Sequence, residues 1–258
     1  MNTVISKDGT KIAYDRTGIG PALILVGGAL QHRSDQLMGR LAPLLAKDFT
    51  VISYDRRGRG DSTDGRSYAT DREIEDLESV ITEAGGSAYV FGMSSGGILA
   101  LLAATKLPYI TKIAVYEAPF ISDQEIGTGA AEYTAQLKEA VAGDERSKAV
   151  KLFMKRIGMP APILFIMRLM PMWSQLKKLA PTLVYDALIV GDGSVPQQFA
   201  SITAPTLLVT GMSDPMKEGA RAAAGILPNA QHKVLEGQTH NVKPDVLAPV
   251  LRTFFKGN

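Results

Sequence analysis

The feature that most constrains the fold is ALILV at 22–26, a run of five apolar residues without polar alternation. A strand with one face in water alternates polar and apolar residues, so this run is expected to be buried on both faces, as in a parallel sheet. Other short runs that read as strands recur along the chain. The predicted strands cover 11–15, 22–26, 50–54, 88–92, 112–116, 206–210 and 232–236.

Helical patterns separate these runs and are predicted over 34–46, 71–83, 95–105 and 245–255. In the second pattern Ile74, Leu77 and Ile81 recur at three- and four-residue spacing, and acidic residues fill the other face. Alternating strands and helices favour right-handed crossovers and a mostly parallel sheet. The 258 residues are enough for one large α/β domain.

The strand–helix alternation stops after Phe120. From about 122 to 198 the chain shows helical patterns without a convincing strand, and Pro160, Pro162, Pro171 and Pro181 divide it into short helices. We therefore expect a core of 1–121 and 199–258 and a helical cap of 122–198 over the carboxyl edge of the strands.

Composition excludes several classes of site and partner. The chain has no cysteine, which rules out disulfides, thiolate zinc sites and a cysteine nucleophile. The net charge of +2 and the lack of a long basic run do not point to nucleic acid. The longest apolar stretch, 163–173, contains Arg168 and Pro171 and is shorter than the roughly 20 apolar residues that span a bilayer. With no apolar segment typical of a signal peptide at the N-terminus, we expect a cytoplasmic protein without a membrane partner. The sequence leaves monomer and homodimer open.

The most informative motif is Gly92-Met93-Ser94-Ser95-Gly96, which fits the pattern G-x-S-x-G. The motif follows a predicted strand and opens an apolar, alanine-rich helix, which is the context that a serine nucleophile requires. A sharp strand-to-helix turn would expose Ser94 above the sheet, and the two glycines would let neighbouring backbone approach. A nucleotide-binding turn is the alternative, but the phosphate-binding glycine patterns are absent.

A serine nucleophile needs a base and an acid that orients it. His240 is predicted as the base because it lies in a loop between the last strand and the last helix. His32 is a less favoured candidate, and His232 is expected to be a solvated or hydrogen-bonded side chain. Asp214, which follows the strand at 206–210, is predicted as the acid; it could also serve only as a helix cap. Glu117, at the end of KIAVYE, is the alternative acid.

The predicted oxyanion donors are two backbone N–H groups. One belongs to Ser95, directly after the nucleophile, and the other to Ala29 in the loop VGGAL at 26–30, with Leu30 as second choice. Candidates for an apolar pocket wall, which could equally be plain core residues, are Leu30, Met93, Met167 and Trp173.

Taken together, these motifs make the chain resemble the α/β-hydrolase superfamily over nearly its whole length. The matching pieces are ALILVGGAL, SYDRRGRGDST, VFGMSSGG, LLVTGMSDP and QTHNV. The resemblance implies an eight-stranded, mostly parallel sheet with helices on both faces, a helical cap, and acyl-enzyme chemistry without a cofactor or a metal. The chain departs from many members in having Gly27-Gly28 where they have His-Gly. Serine rather than aspartate at 94 argues, by resemblance, against dehalogenases and epoxide hydrolases, and the arginine-rich loop at 55–62 is expected to form a structural turn.

These observations predict a serine hydrolase that cleaves a small, largely apolar ester, lactone or related acyl compound. The same triad could instead serve a lyase or a carbon–carbon bond hydrolase, because a fold does not determine the reaction. A ligand-binding protein that keeps the fold without catalysis is a further alternative.

Overall fold

A computed structural model of the chain describes residues 1–120 and 129–257. Its centre is an eight-stranded sheet in the order β1-β2-β4-β3-β5-β6-β7-β8, in which β2 pairs antiparallel with both β1 and β4 and the remaining neighbours pair parallel. The strands are β1 (Asn2–Ile5), β2 (Lys11–Thr17), β3 (Ala22–Val26), β4 (Thr50–Tyr54), β5 (Ala88–Met93), β6 (Ile110–Tyr116), β7 (Thr206–Thr210) and β8 (Ala230–Val234). The predicted fold class, an α/β-hydrolase sheet, is confirmed.

Ten α-helices lie in the described part of the chain. They are α1 (Met38–Leu45), α2 (Thr70–Glu83), α3 (Ser95–Ala104), α4 (Ala130–Ala142), α5 (Arg146–Arg156), α6 (Ala161–Met167), α7 (Met172–Leu179), α8 (Leu183–Val190), α9 (Asp214–Ile226) and α10 (Pro244–Lys256). None of these helices is long and apolar enough to cross a bilayer.

Apolar side chains cover both faces of the sheet. One core cluster contains Ile74, Leu77 and Ile81 of α2 together with α3 and α9, and the other contains residues of α1 and α10. All three of these α2 residues are at most 5% exposed, so the helical periodicity in the sequence marks the buried face as expected.

The helices α4 to α8 lie between β6 and β7, and we call residues 130–190 the helical insertion. The insertion has its own apolar cluster, which includes Leu137, Val150, Trp173 and Leu183. Part of the predicted cap, 122–128, lies outside the described residues. The loop residues Ala29 and Leu30 of the sheet pack against this cluster, so the insertion lies beside the loop after β3.

Strand β1 and helix α1 are two of the elements that differ from the prediction, and both differ for local reasons. Strand β1 is mostly exposed along the sheet edge, so it lacks the apolar run that revealed the others. Helix α1 begins at Met38 rather than at 34, because the Asp35 carboxylate accepts the N–H groups of Leu37 and Met38 at 2.9 and 2.7 Å and orders a turn before the helix.

Candidate active site

Ser94 lies at the turn between β5 and α3 with φ of 53° and ψ of −126°, a strained conformation for a residue with a side chain. The backbone is tightly packed there: a Cβ on Gly92 would lie 2.5 Å from the Gly96 carbonyl oxygen, and a Cβ on Gly96 would lie 2.5 Å from the Gly27 carbonyl oxygen. Only glycine fits such approaches. The sharp turn predicted from the motif is present, but Ser94 is half-buried between buried neighbours and so is less exposed than expected.

The loop after β3 passes directly beside this turn. A Cβ on Gly28 would lie 3.0 Å from the Ser94 Cβ and 2.8 Å from the Met93 carbonyl oxygen. The Gly28 N–H donates to the Gln31 side-chain oxygen at 2.6 Å, and Leu30 has a left-handed φ of 58°. The loop is therefore held in a tight turn against the serine, next to the first N–H groups of α3, which have no acceptor within their own helix.

His240 is paired with a buried carboxylate. Its Nδ1 lies 2.8 Å from Oε2 of Glu117, and the other carboxylate oxygen of Glu117 accepts the Gly211 N–H at 2.9 Å. The Glu117 side chain is 1% exposed, whereas that of His240 is about half exposed. A carboxylate has only acceptors, so Nδ1 carries the proton toward Glu117 and the lone pair of a neutral imidazole lies on Nε2.

Tyr116 connects the serine turn to the histidine loop. Its carbonyl oxygen accepts the Ser94 N–H at 2.9 Å, and its phenol donates to the Thr239 carbonyl oxygen at 2.7 Å. Burial, with a smaller contribution from Glu117, raises the pKa of Tyr116, so the phenol stays protonated as a donor. Two consecutive residues at the end of β6 thus contact Ser94 on one side and the loop of His240 on the other.

Asp214 lies away from His240, and the prediction that it pairs with this histidine is therefore corrected. It is the first residue of α9, its side chain is 81% exposed, and it pairs with Lys217 at 2.5 Å. The Lys217 ammonium also lowers the pKa of Asp214. The carboxylate beside the imidazole is that of Glu117, the alternative acid, because β6 lies next to β5 in the sheet and ends level with the serine turn.

Sequence reasoning missed a buried ionic network beneath the site. Asp186 of α8 accepts hydrogen bonds from Arg56 at 2.8 Å, from Arg59 at 2.7 Å and from the Ser95 hydroxyl at 2.8 Å. The same two arginines also donate to the carbonyl oxygens of Gly27 and Gly28, respectively. The loop after β3, the start of α3 and the insertion therefore share one set of contacts.

The charges of this network are compensated. Burial alone would raise the pKa of Asp186, but the Arg59 and Arg56 guanidinium groups outweigh it and lower that pKa. Arg56 also forms a two-point ion pair with Glu73, with distances of 2.6 and 2.7 Å. The arginine-rich loop at 55–62 is thus a buried structural turn near the site, as the resemblance implied, whereas no pattern in the sequence indicated its acidic partners Glu73 and Asp186.

The remaining candidates fall into different places. Met93 is 4% exposed and packs in the core cluster with α1 and α10, and Trp173 packs in the insertion cluster with its indole N–H donating to the Ser147 hydroxyl at 3.0 Å. Leu30 and Met167 are partly buried against the same insertion cluster. Away from Glu117, His232 bonds to the Thr210 hydroxyl at 2.9 Å, as a hydrogen-bonded side chain would.

The sheet order and the serine turn define an α/β hydrolase, and the chain belongs to this family: the model of the alpha/beta hydrolase family matches residues 23–250. A solved α/β hydrolase from Sphaerobacter thermophilus is 46% identical with a TM-score of 0.91, and the match covers 99% of this chain and 100% of that one.

More distant solved structures share the fold. An esterase from Exiguobacterium antarcticum is 20% identical with a TM-score of 0.78 and full coverage of both chains. An esterase from Rhodococcus is 22% identical with a TM-score of 0.71, covering 99% of this chain and 98% of that one. Among proteins of curated function, none matches the sequence significantly.

Proposed function

We propose that the chain is a serine hydrolase of small, largely apolar esters, lactones or related acyl compounds, with Ser94, His240 and Glu117 as its triad. The observation that carries the proposal is the pair of consecutive residues at the end of β6. Tyr116 accepts the Ser94 N–H, and Glu117 holds the imidazole of His240 at 2.8 Å. A nucleophile, a base and an orienting acid are thereby tied to adjacent positions of one sheet edge.

In the proposed reaction Nε2 of His240 takes the proton of the Ser94 hydroxyl as the serine oxygen attacks the substrate carbonyl carbon. The N–H groups of Ala29 and Ser95 stabilise the oxyanion of the tetrahedral intermediate. His240 then protonates the leaving alcohol as the carbon–oxygen bond breaks. Water, deprotonated by His240, attacks the acyl-enzyme and releases the acid and free serine.

The helical insertion is proposed to act as the cap over this site. Its partly buried Met167 belongs to the cluster that Ala29 and Leu30 join, so the surroundings of the oxyanion loop are apolar. Such surroundings favour an apolar acyl or alcohol group over a charged one, because burying a charge without a partner is costly. The esterase names of the two distant relatives agree with this class of substrate, although the likeness to them extends to the fold alone.

A fluorophosphonate probe tests the nucleophile. We expect the wild-type chain to be labelled and Ser94→Ala to stay unlabelled, while Ser95→Ala keeps the label. Label retained by Ser94→Ala would refute the proposal. Release of p-nitrophenol from short- and medium-chain acyl esters then measures hydrolysis directly, and an initial burst equal to the enzyme concentration reports the acyl-enzyme.

The same measurements separate the rival functions. A ligand-binding protein on this fold would show neither labelling nor a burst. A lyase or carbon–carbon bond hydrolase would be labelled but would turn over cyanohydrins or vinylogous diketones in preference to the acyl esters.

A further inference from the structure

The outer side of the insertion carries a concentrated apolar surface, which we call the apolar tip (residues 157–172). Seven large apolar side chains in this short stretch are between 44% and 76% exposed. They are Ile157, Ile163, Phe165, Ile166, Leu169, Met170 and Met172. Exposed apolar residues are common singly, but a group of this density marks an interaction surface.

The local structure explains why these side chains point outward. In α6, Leu164 is buried and Met167 is partly buried against the insertion cluster, so the rest of this short helix is turned away from the protein. Tight turns follow, in which the Leu169 N–H bonds to the Ile166 carbonyl oxygen at 2.9 Å and the Trp173 N–H bonds to the Met170 carbonyl oxygen at 3.0 Å. The buried Trp173 then fixes the start of α7 to the insertion cluster.

The charge around the apolar tip is of one sign. Residues 149–185 contain six of the chain's 28 lysines and arginines and none of its 26 acidic residues, whereas the two cations just before this range, Arg146 and Lys148, form ion pairs with nearby acidic side chains. Arg168 is exposed within the tip, and Lys155 is exposed just before it. The remainder of the chain is consequently net negative, so the positive charge is specific to this part of the insertion.

We propose that the apolar tip docks the protein on an anionic lipid bilayer. A second copy of the chain is a poor occupant, because it would bring two such cationic segments together. Aliphatic and aromatic side chains mixed with Lys and Arg, on helices too short to span the bilayer, are the composition of segments that lie in a membrane interface. This inference revises the sequence-based expectation of no membrane partner, and it is independent of which bond the enzyme cleaves.

Co-sedimentation with vesicles tests the proposal with the whole protein. We expect binding to vesicles of equal parts phosphatidylcholine and phosphatidylglycerol, weaker binding to phosphatidylcholine alone, and release by salt. Phe165→Ser with Leu169→Ser should reduce partitioning by at least about ten-fold, because two apolar side chains leave the interface. Lys155→Gln with Arg168→Gln should reduce it by about 25-fold, since each cation near an anionic surface contributes roughly five-fold.

Matched control variants lie at other places on the surface. Ile19→Ser removes an apolar side chain that is 89% exposed in the β2–β3 loop, and Lys47→Gln with Lys233→Gln removes two exposed charges before β4 and in β8. Both controls should bind vesicles as the wild type does, and thermal melting verifies that every variant is folded.

Three results would overturn the proposal. One is a failure of the wild type to sediment with the anionic vesicles. Another is unchanged binding by both tip variants. The third is a dimer in light scattering that Phe165→Ser with Leu169→Ser dissociates without any effect on vesicle binding, which would assign the surface to a second copy.

Discussion

Replacing Asp186 with alanine should strongly destabilise the fold, because Asp186 is the shared acceptor of a buried network. Its carboxylate is 6% exposed and accepts bonds from Arg56, Arg59 and the Ser95 hydroxyl. Removing one partner of a buried ion pair costs about 3–5 kcal/mol, since the remaining charge stays buried. Arg56 keeps its two bonds to Glu73. We therefore expect the lower part of that range, about 3 kcal/mol.

Urea unfolding measures this loss. With an m-value of about 3 kcal/mol/M, the unfolding midpoint of Asp186→Ala should fall by about 1 M. Asp192→Asn is the matched control, because Asp192 is exposed just after α8; its midpoint should stay within about 0.2 M of the wild type. A midpoint shift for Asp186→Ala no larger than that of the control would refute the view that the network stabilises the fold.

Asp186 should also make the stability of the fold depend on pH in the acid range. The arginines lower the pKa of Asp186 in the folded chain, so its contribution to stability is complete at neutral pH. That contribution is lost only as the pH falls below the ordinary carboxyl value toward the lower folded value. In Asp186→Asn this part of the acid dependence should be missing from the unfolding midpoints.

Three further predictions concern the carboxylate of the proposed triad, a histidine outside the site and the serine turn. Glu117→Gln should lower kcat by on the order of 10³-fold or more, because the amide no longer fixes the imidazole tautomer, whereas Asp214→Asn should leave kcat nearly unchanged. Burial, with a smaller effect of Arg221, lowers the pKa of His232, so stability should fall as the pH drops below 6.5, and His232→Gln should reduce this slope. Gly96→Ala should destabilise by about 1–3 kcal/mol, because its Cβ would overlap two carbonyl oxygens.

Steady-state kinetics on an ester that the wild type turns over, chemical unfolding across a pH series, and thermal melting measure these outcomes. A greater loss of kcat in Asp214→Asn than in Glu117→Gln would restore the original assignment of the acid. Parallel profiles of stability against pH for the wild type and His232→Gln would contradict the prediction for His232. A Gly96→Ala variant as stable as the wild type would contradict the prediction for the serine turn.

The fold and the serine turn could be predicted because they depend on local patterns. The apolar run at 22–26 indicates a strand buried on both faces, and the glycines of the motif at 92–96 indicate close backbone approach; both are present. Such features are determined by neighbours in the sequence, so a single chain reveals them.

The choice between Asp214 and Glu117 could not be made in this way. Both follow parallel strands whose carboxyl ends lie at one edge of the sheet, and both precede His240 in sequence. Features of the folded chain separate them. Glu117 has a left-handed φ of 45°, and the Gly211 N–H donates a hydrogen bond to its buried carboxylate. The pairing of Asp186 with two arginines about 130 residues away along the chain was beyond local patterns for the same reason.

The position of Glu117 has a consequence for engineering. The chain leaves the sheet immediately after this residue, and Phe120, which is 1% exposed in the core, still belongs to the packed scaffold. A helical insertion exchanged between relatives should therefore be joined beyond Phe120, where the donor segment replaces neither the carboxylate nor its anchor. At the other end the exchanged piece must bring an acidic residue equivalent to Asp186, or else the recipient's Arg56 and Arg59 lose their shared counter-charge.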